Sequence, residues 1–433
     1  MKIITKRQQL VNDRIRTIFS IKNYPFFSIE ESQTRKRYYL FNLKVLSLKS
    51  KVGIETQLTD RQRINKDIRC IDGNKLILWF DHCLGGGTEV YSQRVIAEEF
   101  NKATVLRIQF IWSQYCFKLT LISAESNKIF YLFSLSELKD LLLSIRFFQL
   151  IVNNLVGYKN SLSILELVKE LKSKNESLKV KFNLHDYHCI CPSYNLIFKN
   201  KEFCNLEFSK CNECFSSLRL SENEKDNRIL LSGSTDVKVW RSNWKDFLCN
   251  VCDEILAFSE GSKDILLRAY PEIEKKITVR PHNVPMLRMV GVNKHRGLNI
   301  AFLGEIGLTQ KGSNVVKDLA KYSSNRRNIN LYVIGEYINP PKGLKVTGRY
   351  KLNYLPNLIE KLKIDMIVIP SIWPETFSFT TSEAIQLGIP VACFNYGAQA
   401  EKVKKYSKGL ILTNRNPKSI IQEIESYFKN KPL

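Results

Sequence analysis

From Lys75 onward, apolar runs of strand length alternate with helical patterns, and that alternation restricts the architecture more than any other feature. The runs LILWFD (76–81), ATVLRIQF (103–110), FQLIVNNL (148–155), LKVKFNLHD (178–186) and EILAFSE (254–260) are largely apolar, as strands covered on both faces must be. Helical stretches between several of them predict parallel strands joined by crossovers. ITVRPHNVP (277–285) reads as a connector. A second series follows: LNIAFLGE, a helix from Ser313, INLYVIGEY, LKVTGRY, a helix from Leu355, DMIVIPS, a helix from Phe379, and PVACFNYG. The fold class predicted is α/β, with two doubly wound Rossmann-like domains facing across a cleft and ligands at the carboxyl ends of their strands. The expected divisions are a basic N-terminal extension over 1–72, a first domain over 73–283 with a Cys-rich insertion at about 187–232, a second domain over 284–416, and a closing helix over 417–433.

A chain of 433 residues, 44% hydrophobic and 25% charged, can bury substantial cores, which excludes global disorder and collagen-like repeats. Its 66 Lys and Arg against 42 Asp and Glu give a net charge of +24, which points to a polyanionic partner: nucleic acid, an anionic membrane surface or a phosphorylated substrate. Sixteen basic against six acidic residues fall in the first seventy. There Leu10, Val11, Ile15, Ile18 and Phe19 recur at helical spacing, with Lys6, Arg7, Arg14 and Arg16 on the other side. The pattern predicts a helix, lying either on an anionic membrane or on the protein itself. Charges run through the start, where a signal peptide would need an apolar core, so export by that route is not expected. The uncharged stretch Ala384–Ala400, 17 residues interrupted by Gly388, Pro390 and Gly397, is too short and broken to span a bilayer. Eleven cysteines without an export signal suggest reduced thiols or a metal site in a cytoplasmic protein.

Four segments carry chemistry. In PSIWPETFSFTTSEAIQLGIPVACFNYGAQAE (370–401), Glu375 and Glu383 stand eight apart, one in a strand-to-helix loop and one a turn inside the helix. Between them Phe379, Thr380 and Thr381 present amides at a helix N-terminus, a site for phosphate. Carboxylates on either side of a phosphate suit a sugar at one end and a ribose at the other, which is the layout of a nucleotide sugar; an ordinary capped amphipathic helix is the alternative. After the first strand, HCLGGGTEVYSQ places Gly85, Gly86 and Gly87 where backbone can approach a ligand, or simply make a tight turn. It has neither a P-loop ending nor a dinucleotide spacing. His185 in NLHDYHCICP falls at the end of an apolar strand, on the expected cleft edge. Lys311 in GEIGLTQKGSN could neutralise a diphosphate, or be a solvated lysine. No Asp-x-Asp occurs, so a diphosphate would have to be stabilised by helix termini, Lys311 and Arg349 rather than through a catalytic metal.

These residues together resemble a family 4 glycosyltransferase of the GT-B fold, especially the branch of bacterial surface-polysaccharide and O-antigen pathways. The resemblance spans about 75–433 and rests on Asp81–Gly87, His185–Pro192, Pro281–His282 and Pro370–Glu383, in that order. It implies a hexosyltransferase-type enzyme that moves a sugar from a nucleotide-diphosphate donor with retention. Gly86 and Gly87 would approach the diphosphate, His185 and Glu375 would contact the transferred sugar, Phe379 and Thr380 would offer amides to phosphate, and Glu383 would hold the ribose. Many relatives have an arginine beside the glycine that ends the second domain's first strand, whereas Gly304 is followed by Glu305. The implied acceptor is a lipid-linked saccharide at the inner face of the plasma membrane, which gives the basic extension a use.

Cys191, Cys204, Cys211 and Cys214 form C-x12-C-x6-C-x2-C after the His185 motif, suiting a structural zinc site or four unrelated reduced thiols. Cys249 and Cys252 fall in a helical pattern and read as packing residues. Two other function classes compete. A donor-binding protein without transferase activity is suggested by Glu305. A basic zinc-ribbon protein would explain charge and cysteines but leaves the glutamates and glycines idle, and no nucleic-acid module is present in the sequence, so a nucleic-acid partner is not expected.

Overall fold

The computed structural model describes residues 4–11, 14–21, 24–31, 35–40, 43–49, 60–69, 71, 75–98, 100, 103–111, 114–199, 202–214, 236–291 and 295–430. They fall into two compact units. One holds the described residues up to Phe182 together with Asn250–Asp253, and the other holds the remaining described residues from Asn183 onward.

The first unit begins with β1 (Ile4–Val11), β2 (Arg14–Ile21), β3 (Tyr24–Glu31), β4 (Arg35–Leu40) and β5 (Leu43–Lys49), paired in sequence order as an antiparallel meander. This corrects the helix expected around Leu10–Phe19: Leu10 pairs with Ile15, and Lys6 with Phe19, across a hairpin. The three-to-four spacing of apolar residues there overlaps a period of two, since Ile15, Thr17, Phe19 and Ile21 alternate with Arg14, Arg16, Ile18 and Ser20, three of which are polar. β-branched and aromatic residues in that alternation favour strands. Next comes α1 (Asp60–Arg69), which buries Ile64 and Ile68 from a single face.

The second sheet of this unit is built from β6 (Leu76–Asp81), β7 (Thr104–Ile111), β8 (Cys116–Ile122), β9 (Asn127–Leu132), β10 (Gln149–Val152) and β11 (Lys179–Asn183). Their order is β11-β10-β6-β7-β8-β9, with the first four parallel. Helices α2 (Gly87–Glu98), α3 (Leu135–Leu143) and α4 (Ser161–Lys174) connect them. Every residue of β6 is buried, which explains its unbroken apolar run. The chain leaves β6 toward β7 on one side and later returns to β10 on the other, so the glycine loop after β6 lies at a topological switch point. The β8–β9 hairpin is absent from the sequence reading. It pairs antiparallel around Ser123–Ser126, and its strands are half-buried, so their pattern alternates instead of running apolar.

In the second unit, β12 (Ile197–Phe198) and β13 (Glu202–Phe203) are two residues each, and α5 (Val237–Asp246) buries Trp240 and Trp244. After β14 (Glu254–Ala257) come α6 (Glu260–Ala269), closed by a capping box between Ser259 and Ser262, and β15 (Ile277–Val279), which pairs parallel with β14. The last sheet consists of β16 (Leu298–Glu305), β17 (Ile329–Glu336), β18 (Leu344–Val346), β19 (Met366–Ile369), β20 (Val391–Phe394) and β21 (Gly409–Leu412). Its order, β18-β17-β16-β19-β20-β21, is parallel throughout and is the doubly wound order of nucleotide-binding sheets. Helices α7 (Ser313–Ser323), α8 (Leu355–Lys361), α9 (Phe379–Gln386), α10 (Gly397–Lys405) and α11 (Pro417–Asn430) accompany it. The four residues of β19 are all buried, each side chain contributing roughly 1.5–3 kcal/mol on transfer from water. Among the described residues no helix is long and apolar enough to cross a membrane.

Candidate active site

In the last sheet the strand order reverses between β16 and β19, and the loops leaving these two neighbours carry Lys311 and Glu375. A backbone bond from Ile372 N–H to Gln310 O, 3.0 Å, ties the loops together. Lys311 Nζ then reaches Glu375 Oε1 at 2.7 Å, and Ser371 Oγ donates to the same oxygen. Glu375 is 4% exposed. Burial alone would raise its carboxyl, but the Lys311 ammonium and the hydroxyls of Ser371 and Ser378 outweigh it and hold it below the ordinary range. Glu375 is therefore a committed anion in a dry place. Its backbone is fixed from α10: Gln399 Oε1 accepts from Glu375 N–H while Gln399 Nε2 donates to Trp373 O. Gly397, at the start of α10, has φ of +49°, and a Cβ there would come within 2.6 Å of the Pro374 backbone. Only glycine permits that approach.

Helix α9 starts at Phe379 after Ser378, which sits in the left-handed region at φ 61°. The Ser378 hydroxyl does not cap the first turn but pairs with Thr381 Oγ1 at 2.8 Å. The helix thus opens on its own amide dipoles, the arrangement an anion binds. Thr381 is fully buried, and the Thr380 methyl packs toward Gly304 at the end of β16. Lys402 of α10 steadies this corner by donating to Phe377 O and Ser382 Oγ, both at 2.6 Å. Desolvation pulls its ammonium down to about 7. Half-buried Glu383 is pushed up to about 7, also by desolvation, with Lys402 pulling the other way.

His185 follows β11, and its carbonyl accepts from Thr376 Oγ1 at 2.8 Å, one residue from Glu375. Its ring stacks on Phe258 at 4.6 Å; Phe258 stacks on His282 at 3.9 Å, and His282 on Phe379 at 5.0 Å. The structure thus joins His185, Glu375, Lys311 and the start of α9. Arg349 is not joined to them: it is 86% exposed on its side chain and paired with Glu336 at 2.8 Å. Phe258, His282, Gln399 and Lys402 were not among the candidate residues. His282 had a signal in its Pro-His pair, whereas the other three act through packing or backbone bonds that no local motif marks.

In the other unit, Gly85 and Gly86 adopt φ of 75° and 77° with open space where a Cβ would stand, and α2 starts at Gly87. Asp81, wholly buried at the end of β6, organises this turn. It accepts from Ser92 Oγ and Arg107 NH2, each at 2.6 Å, from Asn153 Nδ2 at 3.1 Å and from the His82 amide at 2.9 Å. Cys191, Cys204, Cys211 and Cys214 line one cavity in the second unit, while Cys252 is buried and Cys249 half-buried.

Comparisons with known proteins bear on the fold and on the family of its last part. Residues 293–433 match the family model described as "Glycosyl transferases group 1". No curated protein matches the chain significantly. Among solved structures, HepE of Anabaena in complex with UDP is 11% identical with a TM-score of 0.50, covering 83% of this chain and 91% of that one. HepE with UDP and glucose is 13% identical over 82% and 90%, again at 0.50. Sucrose-phosphate synthase of Thermosynechococcus elongatus is 13% identical over 83% and 90%, also at 0.50. At these identities the likeness is one of fold, and that fold is the α/β arrangement of the GT-B class that the sequence predicts, ending in a region of glycosyltransferase group 1 character.

Proposed function

We propose that this chain is a retaining glycosyltransferase that moves a hexosyl group from a nucleotide-diphosphate sugar to a lipid-linked saccharide, without a catalytic metal. The observation that carries the reading is the Lys311–Glu375 pair at the switch point of a nucleotide-type sheet, with the uncapped start of α9 beside it and His185 tied to Thr376. In this reading α9 receives the diphosphate on the amides of Phe379, Thr380 and Thr381. Lys311 divides its charge between Glu375 and the leaving diphosphate as negative charge develops there. Glu375, kept ionised, orients hydroxyls of the transferred sugar and is no proton donor. His185 contacts the same sugar, and Glu383 in its ionised form accepts from the ribose hydroxyls. Gly85, Gly86 and Gly87 serve as a phosphate-approach loop on the strength of their own backbone geometry. Arg349 would have to leave Glu336 to take part.

A surface-polysaccharide pathway of the O-antigen or lipopolysaccharide type and a peripheral place on the cytoplasmic face of the plasma membrane complete the proposal. The basic first seventy residues support it by their charge. HepE, whose solved complexes hold UDP and UDP-glucose, supports the donor class. Transfer and donor-hydrolysis assays over a panel of nucleotide sugars test the function. Turnover with one of them, lost in Glu375→Ala and His185→Ala variants that remain folded, is expected. Unchanged turnover in both variants overturns the site assignment, and donor binding without any turnover would favour a non-catalytic sugar-nucleotide receptor.

A further inference from the structure

We propose that Cys191, Cys204, Cys211 and Cys214 bind one zinc ion as a tetrahedral thiolate centre that clips the segment around residues 187–214 into shape. The four thiols line a single cavity of about 90 Å³ together with Ile190, Leu206 and Arg241. Regular structure among the described residues of this segment amounts to the two-residue strands β12 and β13, a 3-10 turn at Phe208–Lys210 and the helical residues 211–214 that follow it. Cys211 and Cys214 pack against the buried Val237. The backbone is nonetheless sharply shaped. Tyr194, Leu196, Lys199, Asn205 and Leu206 all lie in the left-handed region, at φ of 56°, 57°, 49°, 48° and 61°. Non-glycine residues persist there when surrounding bonds over-determine them, and metal–thiolate bonds supply such determination in small segments.

Two of the four sulfurs meet N–H donors. Lys199 N–H points to Cys214 Sγ at 3.4 Å, and Arg241 NH1 to Cys211 Sγ at 3.5 Å. Donors of this kind offset the net double negative charge of a zinc ion with four thiolates. As they stand, no three His, Cys, Asp or Glu side chains among the described residues are drawn together closely enough to hold a metal ion. Zn–S bonds of about 2.3 Å therefore require the four sulfurs to draw closer together than they stand. The clipped segment reaches the candidate active site through contacts of its own. Phe203 meets the ring of Tyr396 at 5.9 Å, and Tyr396 directly precedes Gly397, whose close approach fixes Glu375.

The test uses the full chain purified with zinc in the medium and reducing agent present. Elemental analysis should find about one zinc per chain. Replacement by cobalt(II) should give the intense visible bands of a tetrahedral cobalt thiolate, and chelation should expose four titratable thiols. The Cys211→Ser/Cys214→Ser double variant should lose the metal, while Cys249→Ser keeps it. Absence of stoichiometric zinc together with absence of cobalt thiolate bands in the unmodified chain overturns the proposal. Zinc retained in the double variant overturns it equally. Because the cobalt spectrum is read on the unmodified chain, the result does not depend on the variants folding, nor on whether the chain transfers sugar.

Discussion

At Glu375 a buried carboxylate, a partly exposed ammonium and a hydroxyl meet at one oxygen, so a neutral isostere should separate chemistry from folding. Glu375→Gln keeps shape but removes the charge that Lys311 faces. Because Lys311 is 35% exposed, the stability cost should be about 1–2 kcal/mol, below the 3–5 of a broken fully buried pair, read by denaturant titration. Sugar transfer should fall far more, by about a hundredfold or greater in kcat, if the anion orients the sugar in the transition state. Glu383 gives a pH prediction. Its carboxyl, raised to about 7, is protonated below that pH in the folded chain while an unfolded one would already be ionised. Its contribution to stability therefore declines as pH rises from the ordinary carboxylate range to about 7. The ionised form is the one that accepts from ribose, so nucleotide affinity should weaken as pH falls from 8 to 6. Calorimetric titration of the nucleotide should show that dependence flattened in Glu383→Gln.

Elements were legible in the sequence where burial was two-sided. β6, β16 and β19 announce themselves as apolar runs because both faces are covered, and α9 could be placed from the strand before it and the loop residues between. The half-buried β8–β9 hairpin and the N-terminal meander were not legible as such, because an alternating pattern of short period overlaps the helical one when apolar residues are dense. Within the site, Glu375 and His185 could be named from their motifs, but Lys402 and Gln399 could not: they stand on α10 and act on backbone atoms about 24 residues away in sequence. The start of α10 is correspondingly sensitive. Gly397→Ala should cost more than about 2 kcal/mol, since it adds a left-handed penalty to a clash with the Pro374 backbone. It should also depress kcat by displacing Glu375, whereas Ala398, already a helix residue one position on, marks how local the restriction is. Thermal unfolding and steady-state kinetics on the same preparation would show whether both effects appear; a stable, fully active Gly397→Ala protein would refute the close-approach argument.

Across the whole molecule, net positive charge is concentrated in a sheet-forming N-terminal segment set before the two α/β sheets. If that segment attaches the protein to anionic lipid, removing residues 1–49, which spares α1, should reduce co-sedimentation with anionic vesicles while leaving nucleotide affinity unchanged, and the residual binding should be less sensitive to salt. Loss of nucleotide binding with vesicle binding intact would reverse the roles. A different consequence follows from the strand order of the last sheet. Lys311 and Glu375 are 64 positions apart along the chain, yet they leave adjacent strands, so their separation is set by the ladder between β16 and β19 and not by what lies between them in sequence. The turn at Asn339–Pro341 between β17 and β18 lies outside that ladder, so its length does not set the separation of the charge pair. A short Gly-Ser insertion in that turn should leave turnover intact. Length variation in this turn would then be nearly neutral, so lineages could lengthen it to build new contacts while the reaction centre keeps its dimensions.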